Sequence, residues 1–523
     1  GHTGFQPAGD YATDAKLTTV SGDLQTNIDG KSDTGHTHTE TDITDLEHDA
    51  VKIRGRNISS TDVPANGESI TWNESKSEWE YTMVSGGGES PDQDISLIGV
   101  AGTAGFGVGI CPSQLLPAEM TPLAGYDEPT HDNYGNYQYE DGSIMCWIPK
   151  FYYLIASGTN TVTIKGIDTY VNEAAANADN YALHRAFIDG GTEQQGFFFD
   201  KYQCSKKGWG SGQIASSIKN GLPISINSAH NPIADLTACV SNYHWQTINA
   251  AHARDGVDGA VNSSSIFHCA SKFQYAALAL LSLAHGQACS ATTYCAWYDA
   301  TYNYPKGCNN DALKDYDEVS NGAGSGDDLL YTTDGYSNCG KTGSGVPFAK
   351  STHNGQNCGV ADLNGLMWEV SLGVTRDATA FYVAKEATAM KDFTSGNSVA
   401  TDHWGSTGIA AMMTSLTVPY ITGNDGWIYY GNGANQVLSG DLSGNAWLLT
   451  GLSLPKDSNG LSAAGTNQFG KDGLYRYLRD ELCLISCGLW DFDSDAGVWL
   501  VAWSNDRTYS GDSVGFRAAC YPE

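Results

Sequence analysis

Four textures of hydrophobic and polar positions succeed one another along the 523 residues. Residues 1–50 are polar and repetitive, the opening GHTG returning as GHTHTETDITDL at Gly35 to Leu46. Within them Leu17, Val20, Leu24 and Ile28 fall at three- and four-residue spacings, which predicts a narrow apolar seam on a helix of about three turns. Nucleation makes so short a helix marginal by itself, so the seam predicts association between copies of the chain. In residues 51–84, Ile70 and Trp72, then Trp79, Tyr81 and Met83, alternate with polar residues on either side of NESKSE, which predicts a hairpin. An isolated hairpin is barely stable, so its rings also look for cover from neighbouring chains. The SGGGESPDQD stretch, 85–94, reads as a flexible linker and places a domain boundary there. From Ile95 onward the sequence is rich in glycine and aromatic residues. Short apolar runs such as ISLIGVAG, SIMCWIPKFYYLI and TVTIKGI predict strands, and Asn172 to Phe187 and Ser271 to His285 predict helices. The loops between them are long, so the fold class expected for 95–523 is α+β with much irregular structure. The last texture, Gly488 to Ala519, mixes aromatic, small and acidic residues, a composition suited to a recognition surface because rigid rings give contact area at little entropic cost.

Charge narrows the partners. With 59 acidic against 28 basic residues the formal charge is -31, which repels a phosphate backbone or an anionic membrane, so no nucleic acid is expected as a partner. The most apolar segment, Tyr275 to Ala284, is too short to span a bilayer, so no membrane insertion is expected either. All 13 cysteines lie at or beyond Cys111 and none forms a CxxC pair. Cys483 and Cys487 are four apart with no histidine at zinc-finger spacing, so the cysteines read mainly as small buried residues, the odd count leaving at least one thiol free or paired between chains.

His36 and His38 are two apart, so in an extended strand both project to one face. FQPAGDYATDAKL and GHTHTETDITDL resemble stretches of bacteriophage tail fibres, and the resemblance implies a homotrimer with an elongated stalk. Three chains would bring six imidazoles to the axis, a set suited to octahedral iron or another transition metal such as nickel, as tail-fibre H-x-H sites also suggest. A solvated turn with two exposed histidines is the other reading of the same residues. The hairpin of 51–84 is similar to the small β-modules of fibre shafts.

The remainder carries a second resemblance. GFFFDKYQC (Gly196 to Cys204), DLNGLMWE (Asp362 to Glu369) and GFRAA (Gly515 to Ala519) resemble, in order, three motifs of the formylglycine-generating-enzyme branch of the C-type lectin fold. The predicted helix at Ser271 lacks that branch's L-P-T-E-x-E-W-E. The branch's oxidase uses a copper-binding cysteine pair, which would fall in Trp490 to Val514, and no cysteine occurs there. The resemblance therefore implies the fold without the oxidase activity, and no enzyme is expected. Within the same fold, G-x-W…AGV…N-x-R…VGFRAA resembles the variable segment of proteins diversified by retroelements, in which adenines of template codons such as AAC mutate. Asp491, Phe492, Ser494, Asp495, Leu500, Ala502, Ser504, Asp506, Thr508, Tyr509, Ser510 and Asp512 are reachable from such codons and are the expected receptor contacts, with Phe492 and Tyr509 as anchors. Trp490, Trp499 and Trp503 are unreachable, and Gly497, Val498, Gly515, Phe516 and Arg517 match fixed positions, so these are expected scaffold.

Other chemistry is weakly supported. Asp491, Asp493 and Asp495 have calcium-loop spacing, but no Glu closes the twelve-residue pattern. Trp503, Asn505 and Asp506 resemble the W-N-D sugar motif of C-type lectins with Ser504 intervening, and no EPN or QPD partner exists, so calcium stays open without support. His268 and His285 read as structural. The expectation is a phage receptor-binding protein located on the virion tail, outside the cell and assembled in the host cytoplasm. Its partners would be a bacterial surface receptor, protein or glycan, and other tail proteins. A bacterial surface or secreted adhesin of the same fold is the alternative, followed by a glycan depolymerase with a positioned carboxylate pair.

Overall fold

The computed structural model describes residues 52–53, 56–57, 68–73 and 78–83, and 98–522 apart from 301–307, 310–313, 316–339, 346, 378–379, 396–408, 420–424, 431–436, 457–467, 478–479, 491 and 493–494. The chain divides into two compact units, Gly1–Ser90 and Pro91–Glu523. The seam of Leu17, Val20, Leu24 and Ile28, the His36 and His38 pair, and 85–94 lie outside the described residues. In the first unit Glu68–Asn73 pairs antiparallel with Glu78–Met83, Ile70 opposite Tyr81 and Trp72 opposite Trp79, which is the hairpin that alternation about NESKSE predicts.

The second unit is α+β, with many strands in several sheets and few helices. One six-stranded antiparallel sheet runs, edge to edge, Phe267–Cys269, Ala518–Cys520, Gly196–Asp200, Ile144–Pro149, Asn136–Tyr139 and Met120–Pro122. A second, mixed six-stranded sheet runs Gly426–Tyr429, Gly473–Arg476, Val501–Asp506, Leu482–Ser486, Trp368–Ser371 and Val514–Gly515. SIMCWIPKFYYLI supplies Ile144–Pro149 and Phe151–Ile155, and TVTIKGI supplies Val162–Gly166, as their β-branched and aromatic content predicts. The described part of ISLIGVAG is a turn instead, with Gly99 and Gly102 at φ +79° and +87°, a conformation outside any strand.

The helix Lys272–Ala288 begins as expected at Ser271, whose hydroxyl accepts from Gln274 N–H while the Gln274 side chain reaches back to the Ser271 N–H. Almost every residue from Lys272 to Gly286 is buried, because the helix packs against Val162–Gly166, Leu482–Ser486 and the helix Gly444–Gly451. Such all-round enclosure explains why its sequence lacks a polar face. The helix expected over Asn172 to Phe187 is much shorter, Glu173–Ala178. Asn172 caps it through a bond from Ala175 N–H, but Asn180 takes a left-handed φ of 63° and stops it. Ala182–Leu183 then adds to the edge of Phe151–Ile155, so sheet pairing takes the residues that composition assigned to helix. Among the described residues no helix is long and apolar enough to cross a membrane.

The two sheets are joined by the C-terminal strand pair, which leaves the second sheet at Gly515 and enters the first at Ala518. Between them Arg517 is wholly buried and all five of its N–H groups are used. Nε and Nη2 bond the Glu369 carboxylate at 2.5 and 3.0 Å, Nη1 bonds the carbonyls of Asp200 and Lys201 at 3.1 and 2.8 Å, and Nη2 also bonds the Ala361 carbonyl. The Tyr275 hydroxyl donates to Glu369 at 2.6 Å. The DKY, DLNGLMWE and GFR segments thus converge on one guanidinium. A second buried pair flanks it: Arg254 holds Asp200 bidentately at 2.5 and 2.8 Å, and Asp200 also accepts the Ala518 N–H.

Buried histidine makes this unit acid-sensitive. His353 donates through Nε2 to the Gly107 carbonyl at 3.1 Å and accepts at Nδ1 from Val360 N–H, so both ring nitrogens are satisfied only when the ring is neutral. Burial lowers its pKa from 6.5 to about 3. With the folded value depressed, the unfolded chain takes up this proton first, so the stabilisation is complete above 6.5 and is lost as pH falls toward 3. The stability advantage of wild type over His353→Gln is therefore expected to shrink by up to ~1.4 kcal/mol per pH unit as urea titrations move from pH 7 to pH 5. Parallel curves for the two chains would show that His353 does not titrate this way.

Candidate functional site

The C-terminal sheet builds one ring-lined surface cavity of about 270 Å³. Its floor is Trp368, buried, from the end of DLNGLMWE, together with Ile485 and Ala502. Half-exposed rings form the walls: Trp427 and Tyr475 from neighbouring antiparallel strands, Phe492 from the loop after Cys487, and Tyr509 from the loop after Asp506. The rings support one another at angles. Phe492 meets Trp368 edge-on at 5.2 Å and Trp427 at 6.1 Å, and Trp427 tilts against Tyr475 at 5.0 Å. Edge-to-face geometry of this kind stiffens a ring cluster without closing its faces to a ligand. Ser504, Asn505 and Ser513 complete the rim with neutral hydrogen-bonding groups.

A bulge sets which residues reach the cavity. Leu482–Ser486 pairs with Val501–Asp506 through Cys483 opposite Asn505 and Ile485 opposite Ala502, so the second strand carries one extra residue. Ala502 and Ser504 alternate with Trp503, which turns inward onto Phe381 at 4.3 Å, and the bulge then returns Asn505 to the cavity side. The preceding turn is held from within: the buried Asp472 carboxylate accepts the Trp499 N–H at 2.8 Å and lies so near Gly497 that any Cβ there would meet it at 2.3 Å. Burial raises the Asp472 pKa well above the ordinary carboxylate range.

Of the expected contacts, Phe492, Ala502, Ser504 and Tyr509 line the cavity. Thr508 and Ser510 are exposed beside it, and Asp495, Asp506 and Asp512 are half-exposed. Asp506 is engaged locally, accepting the N–H and hydroxyl of Thr508 at 2.9 and 2.7 Å. Ser510 pins its loop by donating to the Ile226 carbonyl at 2.8 Å. Asp491 and Ser494 lie outside the described residues. Leu500 must be corrected: it is wholly buried, because the strand starts only at Val501 and the turn before it directs this side chain into the core beside Gly488. The expected scaffold residues Trp490, Trp499, Trp503, Val498, Phe516 and Arg517 are buried. Trp427 and Tyr475 were not among the expected contacts. The alternating rings of GWIYY were the signal available for the first, and nothing local marks the second.

No carboxylate, imidazole or ammonium group lines this cavity among the described residues. His184, His244, His268 and Lys272, whose charged forms burial disfavours, are 0–3% exposed and lie in the interior. For calcium, Asp495 is 3.9 Å from the Lys471 ammonium, and its partners in the spacing, Asp491 and Asp493, are outside the described residues. Eleven of the described cysteines are unpaired thiols, ten of them buried. Away from the cavity, His285, Cys289 and Cys295 bring three metal-ligating atoms within 4.8 Å of one another.

No protein-family model and no curated protein matches this chain.

Proposed function

We propose that the protein is a receptor-binding protein of a bacteriophage tail, with a C-type-lectin-like unit of the formylglycine-generating-enzyme branch that docks a bacterial surface receptor through the ring-lined cavity. The observation that carries this reading is the meeting of Phe492, Ser504 and Tyr509, three positions open to adenine-directed change, with Trp427 and Tyr475 in one shallow cavity. Rings of this kind dominate binding interfaces because they desolvate much area while losing few rotamers. None of the residues of the buried Arg254–Asp200 and Arg517–Glu369 pairs lines the cavity, so its rim residues can vary without touching the groups that join the two sheets. A neutral rim and an acidic chain fit a neutral or basic surface ligand better than a phosphate-bearing one. Fluorescently labelled full-length chain is expected to bind saturably to a subset of a bacterial strain panel, and absence of saturable binding across a broad panel would count against the reading.

The stalk belongs to the same proposal. A threefold association would cover the seam from Leu17 to Ile28 and the aromatic hairpin, and would bring His36 and His38 of three chains together around a transition metal. Sedimentation at micromolar concentration is expected to give three times the 55.7 kDa chain mass. A monomer under those conditions would remove the fibre reading.

A further inference from the structure

The helix Lys272–Ala288 ends in an arrangement that nothing in receptor binding requires. Its last turn presents His285, and Cys289 follows as the capping residue, its N–H bonded to the His285 carbonyl at 3.0 Å. The chain then makes an exposed loop over 290–294 and returns to Cys295, which is buried. An H-x3-C-x5-C spacing therefore closes on itself, with one imidazole nitrogen and both sulfurs within 4.8 Å of one another. In a tetrahedral zinc site such atoms stand about 3.5–3.8 Å apart, so contraction by about an ångström completes the geometry. The exposed loop between the cysteines can supply that movement.

The imidazole is already oriented. A carbonyl can only accept, so the contact of 2.6 Å between His285 Nε2 and the Tyr294 carbonyl places the ring proton on Nε2. A backbone N–H can only donate, so Gly102 N–H at 3.1 Å marks Nδ1 as the nitrogen with the lone pair. The ring is stacked flat on Phe106 at 5.1 Å, which holds its plane. A histidine whose other N–H is tied to a carbonyl is the usual outer-shell arrangement around a bound metal. Gly102 belongs to a partly exposed turn, so its N–H can pass to water when the Nδ1 lone pair is taken by an ion. Cys289 is half-exposed, which leaves a route for the ion and a side for a water as fourth ligand.

We propose that His285 Nδ1, Cys289 Sγ and Cys295 Sγ bind a zinc-class divalent ion that ties the C-terminal end of the central helix to the loop entering Trp297. Binding displaces the two thiol protons to solvent and changes no oxidation state. Two thiolates with one imidazole select a soft or borderline ion over calcium or magnesium. Trp297, buried and bonded through Nε1 to the Thr352 carbonyl at 3.1 Å, carries the constraint onward into the unit.

The test uses the full-length chain, isolated with reductant, stripped of metal and then given zinc or cobalt(II) alone. After gel filtration wild type is expected to hold about one more zinc per chain than Cys289→Ser, since each three-ligand site takes one ion. Cobalt should give wild type a thiolate-to-metal absorption band that Cys289→Ser lacks, a signature that the His36 and His38 pair cannot produce. Zinc should also slow alkylation of Cys289 in the wild-type chain at least tenfold, a reading that does not depend on any variant folding. Equal zinc in the two chains, no thiolate band in wild type, unchanged alkylation, or a Cys289 to Cys295 disulfide that persists in chain isolated with reductant would each overturn the proposal.

Discussion

Arg517→Leu is expected to lower the stability of the second unit by about 3–5 kcal/mol, the usual cost of removing one partner from a buried ion pair. The guanidinium is wholly buried and serves the Glu369 carboxylate and three backbone carbonyls. Its loss leaves a buried carboxylate whose remaining described side-chain donor is the Tyr275 hydroxyl, and takes one donor from the carbonyls of two other segments, of which Lys201 keeps the Ala361 N–H. The penalty is thus mainly that of uncompensated buried acceptors rather than of lost attraction. Arg517→Lys keeps the charge but cannot span the same acceptors with a single ammonium, so it should recover less than half of the loss. Removing the carboxylate as well, in Arg517→Leu with Glu369→Leu, should be less damaging than the sum of the single changes. Urea unfolding followed by tryptophan fluorescence measures all three. An Arg517→Leu chain within about 1 kcal/mol of wild type would mean that the junction between the sheets is held by packing alone.

Binding to receptor-bearing cells should fall at least tenfold in Trp427→Ala/Tyr509→Ala while the melting temperature moves little. A ring anchored in an interface contributes ~2 kcal/mol or more, and about 1.4 kcal/mol is a factor of ten. Both rings are half-exposed walls of the cavity, so the chain alone leaves much of their surface uncovered. Phe492 is a less clean probe than Tyr509 because its ring is already engaged with the buried Trp368 at 5.2 Å, so Phe492→Ala should weaken binding and stability together. Leu500→Ala should show the opposite pattern to the double variant, losing about 2–5 kcal/mol of stability as a buried leucine while the remaining folded chain binds normally. If the double variant bound cells as wild type does, the cavity would not be the docking site.

Much of the framework is legible in the order of residues. The Ala/Leu run after Ser271 is a helix, the alternation about NESKSE is a hairpin, and the apolar runs at Ile144 and Val162 are strands. In each case the preference is local: a few neighbouring side chains and one turn or cap suffice. The 172–187 region shows where that ends, since Ala182 and Leu183 pair with Tyr153 and Tyr152 of a strand about thirty residues earlier, and no helical periodicity can anticipate that competition. Which residues of the last segment line the cavity and which are buried is half legible. Codon chemistry and ring content point to Phe492 and Tyr509, yet whether Leu500 faces out depends on where its strand begins.

Sequence by itself determined that this chain has a large glycine- and aromatic-rich α+β unit with an acidic character, and that the ring-rich C-terminal segment is its most distinctive stretch. Those properties are sums over composition and short-range periodicity. Tertiary structure alone decided that Trp368, Trp427 and Tyr475 complete the cavity begun by Phe492 and Tyr509, that one bulge aims Ser504 and Asn505 at it, and that Asp200, Ala361 and Glu369 meet on Arg517. It also decided that His285, Cys289 and Cys295 face one another. The reason is physical: these groups are brought together by strand order, register and loop closure, which depend on burial summed over the whole core and leave no periodic trace at the residues themselves.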